Sequence, residues 1–240
     1  MDRQRQGRLI RRQRPATRIT HWIWAICLFF LLLSGLQIFN AHPALYLGNE
    51  SGFAYDNEIF SFEGFPSWLT IPSTRDLATG RVVHFFFAWL FVANLLLWLA
   101  ASLRNRHLRK DLIPSRRDIE ALPQDIRDHA RLHLVHSVRY SPLQKLAYGG
   151  VLFVLFPLII LTGLSMSPGM NAVMPWFPEL FGGRQTARTI HFAVMVLFVA
   201  FFAVHMAMIL LAGPLNELRS IITGRYRLSP RTPRLEQTHV

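Results

Sequence analysis

Cysteine is almost absent: Cys27 is the one residue of its kind in 240. A single thiol excludes an internal disulfide, an iron–sulfur cluster held by this chain alone, and covalent haem attachment through Cys-x-x-Cys-His. Cys27 itself lies in an apolar run and reads as a small buried residue. Acidic side chains are also scarce, 14 Asp and Glu against 26 Lys and Arg, for a formal charge of +12. A basic balance can serve nucleic acid, but here the positive residues stand in blocks between long apolar runs. That segregation argues against a nucleic-acid partner and for a membrane protein with basic flanks in contact with lipid.

Charge is missing altogether from four stretches, 19–39, 82–103, 146–166 and 190–212, none of which holds Asp, Glu, Lys or Arg. Each has the roughly 20 apolar residues that cross a bilayer as a helix. With 51% hydrophobic residues overall, the sequence predicts an all-α integral membrane four-helix bundle. The first stretch is too long for a signal peptide, lacks a small-x-small cleavage site after Phe39 and carries His21, Trp22 and Trp24, so it is expected to remain as a span.

Orientation follows from the connecting segments. Seven arginines precede Thr20, and 104–145 carries Arg104, Arg106, Arg109, Lys110, Arg116 and Arg117. The segment 40–81 instead holds Glu50, Asp56, Glu58, Glu63 and Asp76 against Arg75 and Arg81. By the positive-inside rule both termini are expected in the cytoplasm, with 40–81 and 167–189 on the opposite face of a bacterial inner membrane. The expected division is a basic N-terminus at 1–18, a four-span core at 19–212, and a cytoplasmic amphipathic segment and tail at 213–240. Ser115 with Asp118 suits a helix start, Pro123 suits the first turn of another, and the tail beyond Arg227 is expected to be disordered.

Ten histidines are present, of which His21, His84, His191 and His205 fall within spans. Intramembrane polar residues are costly and mark function more often than chance. His191 and His205 are 14 residues apart, which returns them to within about 40° of one helix face at an axial separation of about 21 Å. One metal ion cannot bridge that distance, so two cofactors at different depths fit. With the expected topology His84 lies level with His191, and His21 lies on the side of His205. Bis-histidine pairs His84–His191 and His21–His205 would close both axial positions of a haem iron, which suits electron transfer. The depths of the second pair agree only if the first span starts deeper, or the fourth ends earlier, than drawn.

Arginine precedes three of these histidines by three residues: Arg18, Arg81 and Arg188. That spacing shares a helix face, so each guanidinium is a candidate partner for a haem propionate. Small residues recur in Ser34-Gly35-Leu36, Thr162-Gly163-Leu164 and Gly149-Gly150, where close helix packing or a flat macrocycle would need them.

An Arg-x-x-His-Trp opening the first span, a histidine starting the second and a His-x13-His fourth span resemble the cytochrome b561/nickel–iron-hydrogenase type group. This group includes the formate dehydrogenase membrane subunit and thiosulfate reductase cytochrome b. The resemblance covers about residues 14–225. It implies two haem b ligated by His21, His84, His191 and His205, with menaquinone or ubiquinone exchanging electrons near the inner haem. It also implies a periplasmic oxidoreductase partner of formate dehydrogenase or hydrogenase type at the outer haem. The phrases Glu179-Leu-Phe-Gly-Gly-Arg-Gln and Gly213-Pro-Leu-Asn-Glu-Leu-Arg resemble a subgroup associated with molybdopterin partners. Tyr140, Lys145, Asn216 and Glu217 lie at a depth suited to quinone. The outer aromatics Phe53, Tyr55, Phe60, Phe62, Phe65 and Trp68 suit either a docking surface or an interfacial belt. His129, His133 and His136 lack convincing further ligands and suit a solvated face. Competing readings are a stand-alone membrane oxidase passing electrons from a small periplasmic species such as superoxide to quinone, and a non-haem transporter or scaffold.

Overall fold

The structure, a computed structural model, describes residues 9–52, 58–104, 113–131 and 141–227. In chain order its principal elements are β1 (Leu9–Arg11), α1 (Pro15–Phe39), β2 (Ala44–Tyr46), β3 (Glu58–Ser61), α2 (Leu77–Arg104) and α3 (Arg116–Ala130). There follow α4 (Pro142–Ser165), α5 (Pro168–Val173), α6 (Arg184–Ala212), α7 (Pro214–Thr223) and β4 (Arg225–Arg227). Helices α1, α2, α4 and α6 are long and apolar enough to span a bilayer. The protein is an all-α integral membrane bundle. Large apolar side chains such as Phe86, Trp89, Leu97, Phe202 and Leu210 are exposed along these helices, a surface that only lipid can cover at low cost.

Helix starts follow the local chemistry. Pro15 opens α1 and Pro142 opens α4, where a missing N–H costs nothing. Ser141 and Gln144 form a capping box before α4, and Ser115 with Asp118 does so before α3. The sequence suggested a second helix start at Pro123. Instead α3 runs through it. Pro123 sits on an exposed face beside exposed Ile119, so the carbonyl deprived of its N–H partner lies where water can replace it. Within α4 one turn at Val151–Leu155 is π-helical.

The chain divides into two compact units. The first comprises Met1–Trp22, Leu96–Val151 and Phe202–Val240. Here β1 pairs antiparallel with β4, joining the N-terminal segment to the end of α7. The Arg12 guanidinium meets both oxygens of Glu217 at 3.1 Å and lies over the Tyr226 ring at 4.6 Å. Burial raises the Tyr226 phenol above its ordinary range, and the Glu217 carboxylate adds to this, against Arg12 and Asn216. In the same unit α3 docks on the start of α4. Lys145 Nζ donates to Asp118 at 2.9 and 3.0 Å, and Leu143 N–H donates to Asp125 Oδ2 at 2.8 Å.

The second unit comprises Ile23–Leu95 and Leu152–Phe201. A loop at 46–49 is seated on the start of α6. Thr189 Oγ1 donates to the Tyr46 carbonyl at 2.7 Å, Gly48 N–H donates to Thr186 Oγ1 at 2.8 Å, and Arg184 N–H donates to Asn49 Oδ1 at 2.9 Å. Gly183, at φ +106°, is needed there because a Cβ would lie 2.5 Å from the Gly48 backbone. Phe62 and Phe65 pack against Phe39, and Phe62 also reaches Phe192, whereas Phe60 and Trp68 face outward. Phe53 and Tyr55, like His133, His136, Arg106, Arg109, Lys110 and the tail beyond Arg227, lie outside the described residues.

The Asp118 clamp is pH-sensitive. Burial would raise its carboxyl, but hydrogen bonds from Lys145 and Ser115 and the Lys145 charge hold it down from 3.8 to about 2. A carboxyl depressed on folding stabilises the docked state above its unfolded value and loses that stabilisation as pH falls through the folded one. Amide exchange in α3 should therefore accelerate between pH about 4 and about 2. Asp118→Asn should show fast exchange already at neutral pH and no further acid step.

Candidate functional site

The four spanning helices bring the sequence-selected histidines together in two pairs. In the second unit the His84 ring on α2 faces the His191 ring on α6, with centroids 6.5 Å apart and planes at 58°. In the first unit the His21 ring on α1 lies 6.4 Å from His205 on α6, at 49°. The depth mismatch expected for His21 is met by α1 beginning at Pro15 rather than Ile19. This sets His21 in the second turn of a formed helix.

The back of each ring in the His84–His191 pair is held in the same way. Ser34 Oγ lies 3.1 Å from His84 Nδ1, and Thr162 Oγ1 lies 3.0 Å from His191 Nδ1. Each hydroxyl gives its proton to the carbonyl four residues before it, so the facing ring nitrogen must be the donor; the assigned tautomer is Nδ1–H and the Nε2 lone pair is left as a metal donor. Beside each hydroxyl a glycine gives the ring room. A Cβ on Gly35 would sit 3.3 Å from His84 Cε1, and one on Gly163 would sit 3.3 Å from His191 Cε1. Sequence reading assigned these small residues to helix packing or a macrocycle, whereas their neighbours are the histidine rings. A Cβ on Gly149 or Gly150 would meet nothing within 4 Å among the described residues. The His21–His205 pair is built differently: His21 Nδ1 is sealed from solvent with no hydrogen-bond partner among the described residues.

The donor set fits a haem. Two imidazoles on one metal, each with a metal–nitrogen bond of about 2.0 Å and a ring centre about 1.1 Å further, place their centroids about 6.2 Å apart. The observed separations are 6.4 and 6.5 Å. Among the described residues no cluster of three or more His, Cys, Asp or Glu side chains could hold a bare ion. A site with two protein donors needs its remaining ligands from elsewhere, as a tetrapyrrole supplies them.

The arginines three residues ahead of the histidines take different positions. Arg188 donates to the His42 carbonyl and stacks over Phe39 at 5.2 Å. Arg18 donates to the Ile222 carbonyl at the end of α7. Arg81 is exposed. His42, whose Nε2 is 2.9 Å from the Tyr46 hydroxyl, is held below the usual imidazole range by burial and then by the Arg188 charge, with Glu58 opposing. Of the residues the sequence offers for quinone, Lys145 is paired with Asp118, and Asn216 brackets the Arg227 backbone with two 2.9 Å bonds. Glu217 is paired with Arg12 and bears electrostatically on His205. Tyr140 lies outside the described residues. His129 pairs with Asp125 on its own helix at 3.2 Å.

Apolar spanning helices that present imidazoles in facing pairs define a membrane cytochrome of the b class. The chain belongs to the prokaryotic cytochrome b561 family, whose family model matches residues 12–224. It is therefore an integral membrane protein of a haem b-binding, electron-transferring family. A curated relative from Azospira oryzae, named "Putative protein-methionine-sulfoxide reductase subunit YedZ1", is 27% identical over 201 residues, covering 82% of this chain and 89% of that protein.

The glycine contacts give a direct test. Gly35→Val or Gly163→Val should push the facing imidazole aside and lower haem bound per folded chain, read from the Soret absorbance. Gly149→Ala, which adds a methyl group in open space, should leave it unchanged.

Proposed function

We propose that this chain is the dihaem cytochrome b subunit of an oxidoreductase complex, carrying electrons between the quinone pool and a periplasmic partner enzyme. The observation that carries the reading is the pair of His–His juxtapositions, each spaced for one iron and each in its own unit. His84 with His191, and His21 with His205, would ligate two haem b. When bound, haem would supply one-electron transfer, with the two imidazoles of each pair holding it. The non-haem transporter reading has no account of two pairs spaced in this way.

The chain's own residues would do the remaining work. Its basic segments place both termini in the cytoplasm, with the His84–His191 end toward the periplasm. Arg18, Arg81 and Arg188 are the candidate cations for haem propionates, with Arg18 and Arg188 also anchored on backbone carbonyls at the edges of spans. Quinone, menaquinone or ubiquinone, would react beside His21–His205, where Glu217 is the best-supported proton acceptor because its carboxylate already acts on His205. Tyr140, Lys145 and Asn216 are the secondary candidates. The partner reading draws on the relative, whose name makes it a subunit of a reductase. It also draws on the segment Glu179–Gln185, which holds the 46–49 loop in a fixed shape. A molybdopterin enzyme is the partner class this supports.

Two measurements test the reading. His84→Ala and His21→Ala should each lower the pyridine haemochrome count from two haems per chain to one, with different bands lost from the reduced-minus-oxidised spectrum. An unchanged count in either variant would contradict the ligand assignment. Glu217→Gln should leave dithionite-reducible haem intact yet slow quinol-driven reduction roughly 100-fold, the lower range for a lost general base. A wild-type rate would remove Glu217 from the quinone site.

A further inference from the structure

Ser34 and Thr162 do more than satisfy their own hydroxyls. Resting on the reading of His84–His191 as a haem site, we infer that both are positioning residues that fix the ligand tautomers and hold down the midpoint potential of that haem. Neither touches the iron; each acts through an imidazole.

The inference rests on one constellation built twice within the second unit, from α1 against α2 and from α4 against α6. On α1, Ser34 Oγ donates to the Phe30 carbonyl at 2.5 Å, with the Leu31 carbonyl at 3.4 Å. On α4, Thr162 Oγ1 donates to the Leu158 carbonyl at 2.7 Å, with the Ile159 carbonyl at 3.2 Å. A hydroxyl has one proton, and in both cases the i−4 carbonyl takes it. Its lone pairs then face a ring nitrogen 3.0–3.1 Å away, which must be the donor. The next residue is glycine in both copies, and the ring edge occupies the space a Cβ would take.

Back-bonding of Ser and Thr is ordinary in apolar helices and would by itself explain the i−4 contacts. It does not explain why both hydroxyls are fully buried against a histidine on a neighbouring helix, or why a glycine follows each. Both side chains have no exposed surface, so water is not available to replace either contact.

The chemical consequence has a definite sign. Accepting the Nδ1 proton makes an imidazole a stronger donor through Nε2 and favours the ferric over the ferrous state. Removing an acceptor weakens that donation and moves the potential in the positive direction. His21 Nδ1 has no such acceptor among the described residues, so the other haem serves as an internal reference.

The test is a spectroelectrochemical titration of the full-length haem-loaded protein as wild type, Ser34→Ala, Thr162→Val and the double variant. The haem that disappears in His84→Ala should shift to a more positive midpoint in each single variant and further in the double. The haem that disappears in His21→Ala should keep its midpoint. Ser34→Thr and Thr162→Ser, which retain the hydroxyl, should stay close to wild type. An unmoved midpoint with full haem content would overturn the inference. If a hydroxyl-free variant loses haem while its hydroxyl-retaining counterpart keeps it, positioning is upheld. If both lose it equally, shape alone matters and the inference fails. Retention of both haems in His84→Ala would instead sink the haem assignment itself, a separate failure visible before any titration.

Discussion

Four imidazoles are inserted into helices whose outer surface is hydrocarbon, and the need to satisfy two of them organises the local structure around His84 and His191. A buried ring nitrogen without a partner costs several times what a typical intramembrane hydrogen bond returns. For His84 and His191 the solution is a hydroxyl from the adjacent span, with a glycine to admit the ring. Because those acceptors engage the Nδ1 proton, the opposite nitrogen of each ring remains for a metal. The polar cost of burying the histidine and the preparation of a ligand are met by the same contacts. The pair separations near 6.4 Å then follow from which helix faces meet, and they leave room for one atom between two nitrogens.

The two units treat the chain outside the spans differently. In the first, the extra-membrane parts are held by charge: Arg12 with Glu217, Lys145 with Asp118, and β1 with β4. In the second, backbone and hydroxyl contacts between the 46–49 loop and the start of α6 do the holding, supplemented by aromatic packing of Phe39, Phe62, Phe65 and Phe192. Strong ionic contacts are matched to the Arg-rich segments, and neutral ones to the segment with few cations.

Much of this was legible in the sequence. Four charge-free runs gave the spans, because a bilayer demands an uninterrupted apolar helix and soluble folds rarely supply four. The 14-residue spacing of His191 and His205 gave a common helix face, and depth matching gave the partners that the structure brings together. The Ser115–Asp118 box announced α3. Other features left no readable trace. Strands of three or four residues such as β1 and β4 have no period to detect, and their pairing depends on where distant segments end. Proline commonly opens a helix, but at Pro123 an exposed face tolerates it inside one. The rule that residues three apart share a face placed Arg18 beside His21, yet its long side chain reaches the open carbonyls at the end of α7. Ser34-Gly35 and Thr162-Gly163 were visible as small residues, but only three-dimensional contact shows that a histidine ring fills the space.

The central claim is that each histidine pair closes both axial positions of one haem iron. Low-temperature electron paramagnetic resonance of the oxidised wild-type protein tests it most directly. The account predicts two distinct low-spin ferric signals that together integrate to two spins per chain. A high-spin ferric signal, or a single low-spin species, would show that at least one pair leaves its iron open or binds none, and would contradict it.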